Sequence, residues 1–363
     1  MTELAPENNG MISGAYLRNA WYVAAWCEEL AEGMLLAREI LNEPIVLYRK
    51  ADLSVVALLD RCPHRFAPLH MGKIVAGDRV QCPYHGLQFD DTGACVLNPH
   101  GARSIPPRAR VRRYATVEKH GAIWIWPGDG TPDYAKVPDF GMLDNAPKIY
   151  GTKRDRITIK ANYELIVDNL LDLSHVPFLH AGVLGNDDTL RAEITFRQDG
   201  DHIVVGRVAR NVPPPGLFTA LFPSPVERVD QFSIIRWMAP SNLQLFTGVT
   251  MPGKPNDTGT GFHAIHLLTP ENDRSTHYFF TAVRFNVMTD GEALNTQIQE
   301  HIAKMRRYAF LEQDAPMIEA QQRVLDSARI PLIPVILPVD VGPVRYKRIL
   351  RKMIEQERLQ SRG

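Results

Sequence analysis

Two short motifs constrain this chain more than anything else in its 363 residues. Cys62-Pro63-His64 is followed, after Arg65 to Gln81, by Cys82-Pro83-Tyr84-His85. Each motif offers one sulfur and one imidazole, and the proline in each favours a turn over a helix. A structural zinc site usually pairs its cysteines on one segment and its histidines on another. One Cys and one His on each of two hairpin-like loops suits instead a two-iron, two-sulfide cluster in which two imidazoles replace two thiolates on one iron. Such a cluster needs a fold that presents two loops side by side.

The flanking sequence fits that demand. Residues 16–130 contain short runs rich in β-branched and aromatic residues, EPIVLYRK, SVVALLDR and GAIWIWPG, punctuated by Gly, Asp and Pro. They predict a small β-rich domain. The stretch WPGDGTPDYAKVPDFG (126–141) reads as a linker. Beyond it, in a second domain over 131–363, ANYELIVDNLLDLSHVPF has helical periodicity, with Asp168, Asp172 and His175 at i, i+4 and i+7 on one helix face. Strand-like runs return over 190–285 (DHIVVGRVA, FSIIRWMA, LQLFTGV, HYFFTAVRF), and a helical pattern spans Glu292 to about Ser327 with Pro316 inside it. The fold class is therefore α+β, a β domain followed by an antiparallel sheet flanked by helices.

Composition narrows the partners. Forty-one basic residues balance 41 acidic ones, which gives no support for a nucleic-acid or anionic-membrane partner. The opening MTELAPENNG lacks the features of a secretory signal, and IPLIPVILPV (330–339) is about half of a membrane span and holds three prolines, so a soluble, cytoplasmic protein is expected. Of the four cysteines, Cys27 and Cys95 have no histidine at ligand spacing and read as structural thiols. His70, His100 and His120 read as ordinary polar or half-buried histidines. No G-x-G-x-x-G fingerprint or P-loop is present, so nicotinamide and flavin chemistry is expected in a separate reductase.

C-x-H-x17-C-x2-H, with CPHR in the first loop, CPYHGLQFD in the second, and Gly86 and Phe89 in place, resembles the Rieske signature. The stretch Asp168 to His180 is similar to the N-x2-D-x2-H-x4-H pattern of Rieske oxygenase large subunits, position by position at Asn169, Asp172, His175 and His180. Pro177 lies between the two histidines and disfavours helical geometry at Val176, so a break there is expected to turn His180 toward His175. Two histidines and a carboxylate with open positions form the facial triad of a non-haem Fe(II) oxygenase. The resemblance assigns the carboxylate to Asp314 in YAFLEQDAPMIEAQQ, with Glu312 and Glu319 as runners-up.

The family implies more. The catalytic domain is expected to be helix-grip-like. Cys62, His64, Cys82 and His85 hold the [2Fe-2S] cluster, and His175, His180 and Asp314 hold the mononuclear Fe(II). Asp172 bridges a cluster histidine, His85, to His175, across the interface of a head-to-tail homotrimer. A ferredoxin or flavin reductase supplies the electrons, and O2 and a small aromatic compound are the substrates. YLRNAWYVAAWCEEL, CPHRFAPL, NPHG and IWIWPGD further resemble the oxygenases that contain vanillate and dicamba O-demethylases. That similarity implies hydroxylation of a methyl carbon on an aryl ether and loss of formaldehyde, with N-dealkylation or ring hydroxylation as alternatives. Met305, His266 and Leu245 are candidate substrate contacts, and Arg236 a possible polar anchor that reads rather as structural. From other classes, an electron-transfer protein with a partner-binding second domain, or a zinc-stabilised binding protein, would share some of these residues.

Overall fold

The computed structural model describes residues 15–360 and divides into two compact units. One comprises Arg18–Asp139 with Thr269–Asp273; the other comprises Phe140–Leu268 and the chain from Arg274 onward. The opening MTELAPENNG, read as no secretory leader, lies outside the described residues.

The first unit is built on ten strands: β1 (Tyr22–Trp26), β2 (Leu36–Ile40), β3 (Glu43–Arg49), β4 (Val55–Leu59), β5 (Lys73–Val75), β6 (Arg79–Gln81), β7 (Gln88–Phe89), β8 (Cys95–Leu97), β9 (Arg113–Lys119) and β10 (Ala122–Trp126). They form a six-stranded sheet in the order β1-β10-β9-β4-β3-β2 and a four-stranded sheet in the order β5-β6-β7-β8. YVAAW and AIWIW are buried at every position, so neither strand has a solvent face, and they pair antiparallel with Tyr22 opposite Ile125. Val46, Tyr48, Val56 and Leu58 of the larger sheet share one core with Val80 and Phe89 of the smaller. Cys62, Cys82 and Cys95 belong to that same interior. The two motif cysteines are thus anchored by packing before any ligand is considered. The linker-like stretch is tied down as well: Trp21 Nε1 donates to the Asp133 carbonyl at 2.8 Å and Trp126 Nε1 to that of Gly130 at 3.1 Å.

The second unit carries seven strands, β11 (Asp155–Ile159), β12 (Glu193–Asp199), β13 (His202–Val212), β14 (Val229–Met238), β15 (Asn242–Thr250), β16 (Thr260–Asn272) and β17 (Ser275–Phe285), in one sheet ordered β11-β17-β16-β15-β14-β13-β12. Its helices are α1 (Gly141–Asn145), α2 (Tyr163–Leu171), α3 (Val176–Leu179), α4 (Gly216–Thr219), α5 (Glu292–Tyr308), α6 (Ala315–Ser327) and α7 (Val341–Gln360). The sheet-and-helix class read from the sequence is the one found.

Helix α2 is fixed at both ends and along one side. Asn162 caps it by accepting from Glu164 N, while its own N–H donates to Gln322 Oε1 of α6 at 2.9 Å. On α7, Tyr346 Oη donates to the Glu164 carbonyl, and Lys347 Nζ reaches Asp168 Oδ2 at 2.5 Å.

The expected continuous helix through His175 does not form. Helix α2 stops at Leu171, Asp172 is extended (φ −92°, ψ 90°), and a single 3₁₀ turn Leu173–His175 follows. The cause is local: the Asp172 side chain accepts from Ser174 N and caps the new turn rather than continuing the old helix. Pro177 is not the breaker either, since Val176 keeps helical angles (φ −53°, ψ −45°) and Pro177 sits in the first turn of α3, where its missing N–H costs nothing.

Candidate metal centres and active-site cavity

The two cysteine loops share one backbone design. In the first, Cys62 N donates to the Ala67 carbonyl (2.9 Å) and Phe66 N to that of Cys62 (2.9 Å). In the second, Cys82 N donates to Leu87 O (2.8 Å) and Gly86 N to Cys82 O (3.1 Å). The fifth residue of each loop takes a left-handed conformation, Phe66 at φ 60° and Gly86 at φ 73°. Both loops therefore hold a buried thiol at the base and an imidazole at the tip. Cys62 and Cys82 are each 1% exposed, and the His64 and His85 rings lie 4.5 Å apart between centroids.

The donor set suits an iron–sulfur cluster. Burial pushes the Cys62 thiol up to about 11, while the backbone N–H groups of His64 and Arg65 aim at its sulfur and favour the thiolate. Burial, and then the charges of His64, His100 and Arg65, lower the pKa of His85, which keeps its imidazole neutral as a ligand must be. His100, read as an ordinary polar or half-buried histidine, has a defined contact. Its Nε2–H donates to the His85 carbonyl at 2.8 Å and steadies the second loop. His70 contacts Asp60, and His120 Nε2 lies 3.3 Å from Asp139 Oδ1, so both are structural. Cys95 is buried and Cys27 partly buried, and burial raises the pKa of both thiols.

In the second unit, His175, His180 and Asp314 each offer a ligand atom, all within 4.8 Å of one another. Asp314 Oδ1 lies 3.2 Å from His180 Nε2 and 3.8 Å from His175 Nε2. The opposite ring nitrogens are both occupied. His175 Nδ1 contacts the Asp172 carbonyl, and His180 Nδ1 meets Gln313 Oε1 at 2.9 Å. If each Nδ1 carries its ring proton, both Nε2 lone pairs face the same point, which is the arrangement a metal needs. Asn169 Nδ2 donates to Asp314 Oδ1 at 3.1 Å and turns the carboxylate inward. Burial dominates at His175 and lowers its pKa; at His180 burial is outweighed by the bond and charge of Asp314, which raise it. A buried carboxylate drawing positive charge toward two imidazoles is a site built for a cation.

Asp314 reaches this point because of an irregular helix. Between α5 and α6 the backbone widens into a π-helical segment, Ala309–Asp314, and Pro316 opens α6 within its first turn. Neither runner-up competes: Glu312 is exposed, and Glu319 Oε1 accepts from Lys160 N at 3.0 Å. Gln313, unnoticed in the sequence, sets the orientation of His180; its place directly before the ligand was the available signal.

A cavity opens on the three ligands, lined among others by Leu173, Leu217, Phe262, Phe310 and Leu245. His266 lines it too, with Nδ1 2.6 Å from Tyr278 Oη. One expectation needs correcting. Met305 is not among the lining residues and packs half-buried against the neighbouring core; the next residue, Arg306, takes the wall position because α5 turns that face inward. Arg236, read as structural rather than as an anchor, lies outside the cavity lining with its Nη2 held by Asp199 and His202. Asp172 is also altered in detail: its backbone carbonyl, not its carboxylate, meets His175, and carboxylate Oδ1 takes Ser174 N and Oγ.

Comparison with known proteins agrees with this geometry. Residues 20–115 match the Rieske [2Fe-2S] domain, and residues 159–356, more than half of the chain, match the vanillate O-demethylase oxygenase C-terminal domain. The chain belongs to the Rieske non-haem iron oxygenases. Over 94% of its length it is 38% identical to the oxygenase component of dicamba O-demethylase from Stenotrophomonas maltophilia, covering 99% of that protein. It is 36% identical to the oxygenase component of chloroacetanilide N-alkylformylase from Rhizorhabdus wittichii, covering 94% of this chain and 97% of that one. A crystal structure of dicamba monooxygenase with non-heme iron and dicamba superimposes with a TM-score of 0.78 at 35% identity, covering 95% of this chain and 99% of that chain. This Rieske oxygenase is thus an oxidoreductase and the oxygenase component of a monooxygenase system. Its cofactors are a [2Fe-2S] cluster and a mononuclear non-haem iron. No helix among the described residues is long and apolar enough to cross a membrane.

Proposed function

We propose that this oxygenase hydroxylates an alkyl carbon carried on the oxygen of an aromatic substrate, so that the hemiacetal product collapses and releases formaldehyde. The observation that carries the reading is the buried trio His175, His180 and Asp314 opening on a largely apolar cavity. Cys62, His64, Cys82 and His85 hold the cluster, and the trio holds the iron; when bound, these groups supply single-electron transfer and oxygen activation. The chain's own residues do the rest. Asn169 and Gln313 orient the iron ligands. The apolar wall excludes water and holds the arene, with Leu245 and His266 among its contacts. Asp172 links the two centres: its carbonyl holds His175, and its Oδ2 remains for a cluster histidine of a neighbouring copy in a homotrimer. The cluster domain is assigned to 16–130 and the catalytic domain to 131–363, in a cytoplasmic protein fed by a ferredoxin or flavin reductase.

N-dealkylation is the second reading, favoured by the similarity to an N-alkylformylase component. O2 uptake and formaldehyde release, measured with matched methoxy- and N-methyl-arenes and a surrogate reductase, decide between them. Uptake without formaldehyde from either class, together with a hydroxylated ring, sinks both. A role in electron transfer alone predicts that His175→Ala and wild type bind the same amount of iron.

A further inference from the structure

Charge is balanced over the whole chain but not around the cluster loops. Residues 61–77, which carry the first loop, include Arg61, Arg65 and Lys73 and no acidic residue. Residues 92–117, which follow the second, include Arg103, Arg108, Arg110, Arg112 and Arg113, again with no acidic residue. Arg112 is held by Asp129 at 2.8 Å. Arg61, Arg65, Arg103, Arg108 and Arg110 are exposed, and none makes an ion pair among the described residues. Elsewhere exposed arginines are matched: Arg307 lies 2.6 Å from Asp155 and Arg274 3.0 Å from Asp326.

These cations surround an apolar groove that opens on the cluster ligands. His64, His85, Cys95, Ile105 and Arg108 line it. The arginine-bearing turn is tied to the second loop and to the core. His100 Nε2–H donates to the His85 carbonyl, Asn98 Nδ2 to that of Ser104 at 2.8 Å, and Cys95 N to that of Ala109 at 2.9 Å. Arg65 lies near enough for its charge to act on His85. Tyr84 and Ile105 are 65% and 39% exposed, and the Tyr84 ring sits 4.0 Å from the His85 ring between centroids. An apolar centre, a rim of a single charge and an aromatic ring in contact with a cluster ligand suit a protein that docks briefly. The unmatched arginines repel a basic protein and steer an acidic one.

We propose that the groove beside His64 and His85, rimmed by Arg65, Arg103, Arg108 and Arg110, is the docking face for an acidic one-electron carrier protein of the ferredoxin class. This rests on the reading above that a separate protein supplies electrons, and it states where that protein binds and what charge it carries. One electron leaves the reduced carrier and enters the cluster held by Cys62, His64, Cys82 and His85; no covalent bond forms or breaks.

Calorimetric titration of the cluster-loaded full-length protein with an acidic plant-type ferredoxin tests the claim. Wild-type affinity should fall at least about tenfold between about 20 mM and about 500 mM salt, because exposed charges are screened. Arg103→Glu with Arg108→Glu should weaken binding at least about tenfold at low salt. Arg197→Glu with Arg323→Glu, at two exposed arginines of the second unit, makes the same change in net charge and should leave binding within about twofold. Photoreduced deazariboflavin, a small uncharged donor, should reduce the cluster of both pairs at the wild-type rate. Absence of binding by wild type, binding independent of salt, or equal losses in the two pairs overturns the proposal. A change of oligomeric state confined to Arg103→Glu with Arg108→Glu also overturns it and assigns the face to a second copy. The two readings fail separately. Ferredoxin that reduces both pairs at the wild-type rate keeps a separate donor and overturns this docking face. Arginine-dependent binding without cluster reduction keeps an acidic partner on this face and overturns the supply of electrons through it.

Discussion

The two metal-binding regions are built on opposite principles. The cluster loops hold their ligands within 24 residues of sequence, and both loops are shaped by the same pair of backbone hydrogen bonds closing on a left-handed residue. The mononuclear site draws on residues as far apart as Asn169 and Asp314, 145 positions along the chain, and is held by side chains: Asn169 on Asp314 and Gln313 on His180. The first is a local turn design set into a β core; the second exists only once α2, the π-helical segment and the sheet have come together. Backbone-shaped sites tolerate changes in neighbouring side chains. Sites held by side chains do not.

The sharpest break of that comparison is a double exchange. His175→Ala should abolish mononuclear iron and lower turnover by more than the roughly 10–100-fold that loss of an outer-shell partner costs, with the cluster's colour and reduced spin-resonance signal intact. Cys82→Ser should do the reverse, removing the cluster signal while iron remains bound by His175, His180 and Asp314. Metal analysis with spin resonance on both variants reads this directly; loss of both metals from either variant would show that the two regions fold as one. Next in size is Gln313→Leu, which frees the His180 ring. Iron affinity should fall about 10–100-fold, measured by chelator competition, with no change in the cluster. An unchanged affinity would mean that the π-helical backbone alone sets the site.

The contrast also explains what was legible. The cluster ligands could be read because their spacing is their geometry. His175 and His180 could be read as a pair, but not the way the chain delivers them: a helical pattern ran on through Asp172, whose side chain ends it by accepting from Ser174 N. Asp314 was found by likeness to a family pattern, whereas the π-helical segment that aims it has no periodicity of its own. Met305 was read as a wall residue and Arg306 was not considered; one residue along α5 turns a side chain by about 100°, and only the packed helix shows that Arg306 lines the cavity. Helix α7 escaped notice altogether. Its apolar residues Val344, Tyr346, Leu350 and Ile354 are spread through a charged sequence, and their burial depends on helix α2 and on strands β13 and β14 of the sheet.

A site held by buried side chains should also respond to pH. His266 is pushed down to about 3 by burial and by the charge of Arg306. In the unfolded chain it titrates near 6.5, so between these values the unfolded state binds more protons and stability falls as pH drops. The loss should amount to about 2 kcal/mol between pH 7 and pH 5, on a limiting slope of about 1.4 kcal/mol per pH unit. His266→Gln should flatten that part of the profile, followed by denaturant unfolding at several pH values. An identical slope in the variant would place the titration elsewhere.

The smallest effects lie within the loops, where the shared design is met by unlike residues. Gly86 adopts φ 73° freely, and a Cβ added there would sit 3.3 Å from Pro99 Cγ. Gly86→Ala should therefore cost about 1–2 kcal/mol, seen as a lower thermal midpoint for cluster loss. Phe66 takes the same conformation with a side chain that is 71% exposed, so it bears the backbone strain with little packing in return. Phe66→Gly should relieve that strain at the expense of a more flexible unfolded chain, leaving stability within about 1 kcal/mol of wild type. If the two substitutions instead cost the same, the loops are not equivalent turns, and Phe66 is held in place by a contact that its exposure conceals.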